Sequence, residues 1–168
     1  MRPTAWLIAA ACAAALGALG ACAPRTAPLP LVAEGAPRPV DGYDWFLNED
    51  PDEPWLSYGL AQSDEVPLSL RCAPGSGMIG LALALDQATG RGLTLESGGE
   101  TETYPARPEA AEMHDGVQLV AKAAASDPVF QRFRRVGWLA VLDGETRWMM
   151  AAQPGSETRA ARFLDLCA

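Results

Sequence analysis

From Val66 to Cys72 the chain alternates strictly. Val66, Leu68, Leu70 and Cys72 are apolar, with Pro67, Ser69 and Arg71 between them. Side chains on a strand point to opposite faces in turn, so this period of two predicts a half-buried strand with Cys72 facing inward. Ile79, Leu81, Leu83 and Leu85 repeat the pattern, as do Leu93 with Leu95, and Val117 with Leu119, Ala121 and Ala123. Tyr43–Leu47 and Trp55–Tyr58 read as shorter strands around a polar loop at Asn48–Pro54. Glu100–Tyr104 reads as an edge strand and Pro105–Asp115 as a loop, because Pro105 and Pro108 remove ladder donors. Val136–Leu142 and Glu145–Ala151 flank Asp143-Gly144, a dipeptide that favours a two-residue hairpin turn. That loop would pair Leu139 with Trp148 and Val141 with Thr146, placing Gly137, Leu139, Val141, Trp148 and Met150 on the core face. Two segments switch to helical spacing. Ser126-Asp127-Pro128 opens a short helix ending near Arg135, with Phe130 and Phe133 as anchors. Ser156 opens a terminal helix through Leu166, with Ala160, Phe163, Leu164 and Cys167 on one stripe. The expected fold is mainly β: an antiparallel sandwich or partly closed barrel of six to eight strands, with one short helix and a C-terminal helix packed on the sheet.

The first residues follow a different logic. Arg2 precedes a nearly uninterrupted apolar run from Ala5 to Leu19, and Leu19-Gly20-Ala21-Cys22 closes it. A short apolar run behind a single positive charge reads as a secretory signal. The tetrapeptide resembles the lipobox of bacterial lipoproteins. In that family the signal is cut before the cysteine, which is then diacylated and N-acylated. The resemblance implies residues 1–21 as a signal peptide and Cys22 as the lipidated residue. With Ala23 and not Asp following, it also implies delivery to the outer membrane, facing the periplasm. A composition rich in Ala, Arg, Gly and Pro fits a bacterial, GC-rich genome. Residues 22–40 contain Pro24, Pro28, Pro30, Pro37 and Pro39, a composition that keeps a chain extended and suits a tether. The folded domain is then 41–168.

Export changes the cysteine arithmetic. Of four cysteines, Cys12 leaves with the signal and Cys22 carries lipid, so only Cys72 and Cys167 remain to pair. No C-x-x-C and no neighbouring Lys or His marks them as a redox pair, so a structural bridge is expected. It would staple the terminal helix to the first long strand.

The 168 residues carry a net charge of −8. Removing residues 1–21 takes Arg2 from thirteen basic residues, leaving twelve against 21 acids and a charge of −9. Such a balance excludes a phosphate-backbone binder, so no nucleic acid is expected. A single histidine, His114, excludes sites built on two imidazoles, and no metal or other cofactor is expected. Residues 41–65 hold eight acids and no Lys or Arg, while residues 128–168 hold six Arg against four acids. Two readings fit: neutralisation within the fold, or an acidic face that steers a cationic partner. Asp50, Asp52 and Glu53 form a loop of oxygen ligands, but Pro51 and Pro54 interrupt the calcium-loop spacing and its glycine is missing.

No catalytic constellation emerges. There is no G-x-S-x-G and no S-x-x-K, and His114-Asp115 lacks a positioned nucleophile. A non-enzymatic binding or interaction module in the periplasm is therefore expected, with a small hydrolase of unrecognised site as the third reading. Between these stands another resemblance. Leu70-x-Cys72, Gly77-Met-Ile-Gly-Leu, Gly92-Leu-Thr-Leu-Glu-Ser97-Gly98 and Tyr104 are similar to elements of the membrane-bound inhibitors of c-type lysozyme. The Ser97–Tyr104 spacing here is longer than in that family. The resemblance implies a disulfide-bonded β-barrel lipoprotein whose Ser97, Gly98 and Tyr104 would meet a cationic lysozyme. As a whole the domain resembles small envelope lipoproteins of proteobacteria with a Trp-rich start and a Cys-ending helix, a likeness that implies no activity.

Overall fold

A computed structural model describes residues 36–168 apart from 88–89, 112–115 and 144–145. Leu19-Gly20-Ala21-Cys22, His114-Asp115 and Gly144-Glu145 lie outside the described residues.

The described residues form nine strands and two helices: β1 (Tyr43–Asn48), β2 (Trp55–Leu60), β3 (Leu68–Arg71), β4 (Met78–Leu85), β5 (Gly92–Ser97), β6 (Glu100–Ala110), β7 (Val117–Ala124), α1 (Pro128–Val136), β8 (Trp138–Asp143), β9 (Thr146–Ala151) and α2 (Arg159–Cys167). The strands make one sheet in the order β1-β2-β3-β4-β7-β6-β5-β8-β9, with every neighbour antiparallel. The sheet curls into a nearly closed barrel on which both helices pack, so of the two expected architectures the barrel is the one found. Nine strands replace the expected six to eight.

The alternating residues behave as their period requires. Leu56, Leu68, Leu70, Ile79, Leu81, Leu83, Leu93, Leu95, Leu139 and Val141 are almost fully buried and face one core. Val129, Phe130 and Phe133 of α1 join it, with Ala160, Phe163 and Leu164 of α2. Trp45 lies 4.8 Å from Phe133 and 5.2 Å from Tyr58, ring centre to ring centre. Fully burying each such side chain contributes about 1.5–3 kcal/mol.

The segment expected to be a loop after Tyr104 is strand. β6 runs for 11 residues and changes partner midway: Glu100–Pro105 pairs with β5 and Ala106–Ala110 with β7. Glu100–Tyr104 is therefore not an edge strand of its own. Because β5 ends at Gly92, the second half of β6 has a partner on one side only. A proline such as Pro108 is tolerated there because no donor is required on the open side.

The β8–β9 register also differs from expectation. Leu139 pairs with Met150 and Val141 with Trp148, where Trp148 and Thr146 were expected. The shift is two residues, so the predicted core face survives intact.

Helix entry differs at both ends of the domain. Asp127 of the expected Ser126-Asp127-Pro128 start stands at the N-cap of α1, but its carboxylate accepts from Ala124 N at 3.1 Å and not from the helix. Pro128 opens the helix, and Gly137 closes it at φ 72° while donating to Phe133 O at 2.9 Å. Ser156 does not cap α2, which starts at Arg159; its hydroxyl donates to Asp44 instead.

Cys72 and Cys167 form a disulfide with Cα atoms 5.7 Å apart. The turn after Cys72 also finishes α2, because Gly75 N and Gly77 N donate to Leu166 O and Cys167 O at 2.9 and 2.8 Å. Those carbonyls would otherwise lack partners at a helix end. No helix among the described residues is long and apolar enough to cross a membrane.

Candidate functional site

β1 and β9 are the two ends of the sheet and face each other across a seam. Side chains bridge its upper part. Trp45 Nε1 donates to Met150 O at 3.1 Å, and Gln153 N to Asp44 Oδ1 at 3.0 Å. Gln153 Nε2 reaches Tyr43 O at 2.9 Å and Val40 O at 2.7 Å. Beside this seam, between β9 and the β2–β3 loop with the end of β4, lies a cavity of about 610 Å³, within the size range of small-molecule sites.

Four separate segments build its walls. Trp148, Met149 and Met150 come from β9, Tyr58 from β2, Ala84 to Asp86 from the end of β4, and Asp64 to Pro67 from the β2–β3 loop. Sequence explains why that loop folds back. Gly59 has no Cβ, and one built there would stand 2.5 Å from Glu65 O. The close approach lets Leu60 N donate to Glu65 O at 3.0 Å. Pro67 O then accepts from Ala84 N at 2.8 Å, fixing the loop to β4.

The result is an apolar and aromatic interior under an acidic rim. Asp64, Glu65 and Asp86 are exposed, and no Lys, Arg or His lines the cavity. Glu65 accepts a hydrogen bond from the Tyr43 hydroxyl. Tyr58 is 4 % exposed, yet its hydroxyl has no hydrogen-bond partner. Burial, then the nearby Asp44 and Tyr43, raise its pKa above the ordinary tyrosine value. It therefore stays a neutral phenol, able both to donate and to accept.

The residues singled out from sequence lie elsewhere. Ser97 is fully buried, and its hydroxyl donates to Trp138 O at 2.8 Å. Its carbonyl accepts from Arg132 Nε at 2.8 Å. Gly98 lies against the Arg132 stem. The Tyr104 hydroxyl donates to Glu102 Oε2 at 3.0 Å, and Arg132 reaches Glu102 and Glu100 at 3.2 and 3.0 Å. Burial, the Glu102 hydrogen bond and nearby carboxylates push the Tyr104 pKa well up. Ser97, Gly98 and Tyr104 thus converge on Arg132 as structural support, leaving Ser97 no hydroxyl to offer a partner.

Asp50 Oδ1 accepts from Asp52 N at 2.9 Å and Glu53 N at 3.0 Å. These two backbone donors hold its pKa below the usual carboxylate value. Glu53 pairs with Arg71 at 3.2 Å. Asp50, Asp52 and Glu53 therefore form a self-contained loop, and no group of three metal-ligating side chains exists among the described residues.

Among the described residues, three of the eight acids at 41–65 form ion pairs inside the fold: Glu53 with Arg71, and two more with α2. Asp44 pairs with Arg159 at 2.8 Å and Glu49 with Arg162, tying β1 to α2. The cavity rim carries Asp64, Glu65 and Asp86, which form no ion pair among the described residues, and neither do Asp41, Asp50 and Asp52 elsewhere. Nothing local marks it in the sequence, because its residues come from segments up to ninety positions apart. No protein-family model, no curated protein and no solved structure matches this chain.

Proposed function

We propose that the protein is a lipid-anchored envelope protein of the bacterial outer membrane, facing the periplasm, and that it works as a non-enzymatic binding module. Cys22 is the acylated residue and residues 22–40 the tether. The observation that carries the binding reading is the open cavity beside the seam, walled by Trp148, Met150, Leu85 and the ring of Tyr58. Such pockets, mostly apolar with a few placed polar groups, are the usual form of a small-molecule site. The anchor reading rests on Leu19-Gly20-Ala21-Cys22 behind the apolar run. Each buried methylene of an acyl chain contributes about 0.8 kcal/mol, and more than one chain makes attachment stable.

Two experiments test these parts. Cys22→Ala is expected to abolish acylation and release the protein from the membrane fraction; unchanged retention would overturn the anchor. A ligand-observed NMR screen of a chemically mixed fragment set, run on the lipidated protein in nanodiscs, is expected to find binders. Those binders should be lost in Ala84→Trp, which fills the cavity. Binders that persist there would move the site elsewhere.

A further inference from the structure

We infer that the open edge of β9 takes up an extended peptide as an added strand, with one bulky apolar side chain of that peptide seated in the neighbouring cavity. This rests on the binding-module reading above and names the partner for that site.

The direction of the β9 backbone carries the argument. In an antiparallel pair, residues that exchange hydrogen bonds alternate with residues whose N–H and C=O point away. Ala152 N donates to Gly137 O at 3.1 Å, one step beyond the Trp138–Ala151 pair. Counting back by twos, Met150 and Trp148 bond β8, while Met149 and Arg147 direct both backbone groups away from it. Bonds on either side agree with that count. Ser97 reaches Trp138 O from β5, and Gln153 N, in phase with Met149, donates across the seam to Asp44. Among the described residues nothing bonds the N–H or C=O of Arg147 or Met149.

Sheets protect such edges with proline, charge or a bulge. The open half of β6 is protected in this way, by Pro108 between exposed Arg107 and Glu109. β9 has no proline, and its one charged side chain, Arg147, is drawn to Glu96 on β5, away from the edge. The bare edge borders the cavity, and the two features meet at Trp148. A row of alternating donors and acceptors is complemented by another main chain. An incoming residue opposite Trp148 falls in a pair without backbone bonds, where side chains are closest, and points to the same face. It therefore enters the cavity against Trp148, Met150, Leu85 and the Tyr58 ring. Its two neighbours, opposite Arg147 and Met149, make the ladder bonds. Asp64 and Asp86 on the rim complement basic residues at the ends of such a peptide.

The test uses the full lipidated protein in zwitterionic nanodiscs, with empty nanodiscs as control. The probe is the acetylated and amidated pentapeptide KTFTK. On binding, the Arg147 and Met149 amides should become protected from hydrogen exchange. An NOE should join the α-protons of Trp148 and the peptide phenylalanine. Methylating both threonine nitrogens removes the donors that face β9 and should weaken binding about tenfold. Methylating the phenylalanine nitrogen, which points away from β9, should not. KTATK should bind about tenfold more weakly than KTFTK, and Ala84→Trp should bring KTFTK down to the same level. Met149→Pro removes a seam-facing N–H without breaking the β8 ladder and should weaken KTFTK while leaving fragment binding in place. ETFTE should bind more weakly than KTFTK, with salt narrowing the gap.

Equal affinity of KTFTK and its threonine-methylated form would overturn strand addition while leaving the cavity as a small-molecule site. Protection of the Arg147 and Met149 amides before any peptide is added would also overturn it, since a second copy or another part of the chain would then hold the edge. ETFTE binding as tightly as KTFTK would overturn the basic ends alone. Trp148 signals unmoved by KTFTK and by the mixed fragment set would overturn both readings.

Discussion

The wall around Arg132 and the seam cavity are built from the same residue types and finished differently. Around Arg132, the guanidinium meets Ser97 O, Glu100 and Glu102, and Tyr104 completes the set. Across the barrel, Tyr58 is as buried as Tyr104, yet its hydroxyl has nothing to bond, and Asp64 and Asp86 have no arginine. A polar group inside a protein is costly unless paired. The first region is therefore complete without a ligand, whereas the second carries chemistry that the fold itself does not use. The lesson is that satisfaction of polar groups separates architecture from function here better than residue type does.

That contrast can be broken or sharpened by measurement. The largest effect should come from the staple that both regions depend on. Reducing Cys72–Cys167, which spans 95 residues, should lower stability by about 4–5 kcal/mol in the chain-entropy account, read from denaturant curves with and without reductant. Arg132→Ala should cost about 3 kcal/mol in the same assay, since it strands buried acceptors. A loss under 1 kcal/mol would mean that the closed wall is not what holds β5, β6 and α1 together. Tyr58→Phe should go the other way, costing nothing or stabilising by up to about 1 kcal/mol, because it removes an unpaired group. Asp64→Asn with Asp86→Asn should leave thermal stability within about 0.5 kcal/mol, because both carboxylates are exposed and form no ion pair.

The smallest effect tests the acidic loop. The folded-state pKa of Asp50 lies below its unfolded value, so its turn stabilises the fold above the unfolded pKa and loses that effect as pH falls through the folded pKa. The stability difference between wild type and Asp50→Ala should be steady at neutral pH and vanish in acid. A difference that persists in strong acid would show that the carboxylate charge plays no part.

Strands were legible where alternation alone decides, as in Ile79–Leu85, and so was the pairing of Cys72 with Cys167. Pro105 and Pro108 misled because a proline's cost depends on whether a neighbour strand needs its missing donor, and β6 changes neighbours at that point. Ser156 misled because a hydroxyl beside a helix can bond anything within reach, here Asp44 from β1. Ser97 and Tyr104 stood out by a family resemblance, but Arg132, which gathers them, lies some thirty residues later. The cavity left no local trace, since its walls meet only after the barrel has formed.

One property of the sheet order gives the open seam its cause. Each strand runs opposite to its neighbour, and there are nine of them. Counting reversals around the sheet, the first and last strands must point the same way. An even-numbered barrel could close by continuing its own ladder; this one would need a single parallel pair, with slanted and mismatched bonds. Trp45, Gln153 and Asp44 lash the two rims together where they can reach, and the remainder stays open. The open seam is thus a consequence of parity: a point substitution can reshape the gap, but only the gain or loss of a whole strand would let the barrel close over it with the ladder it already has.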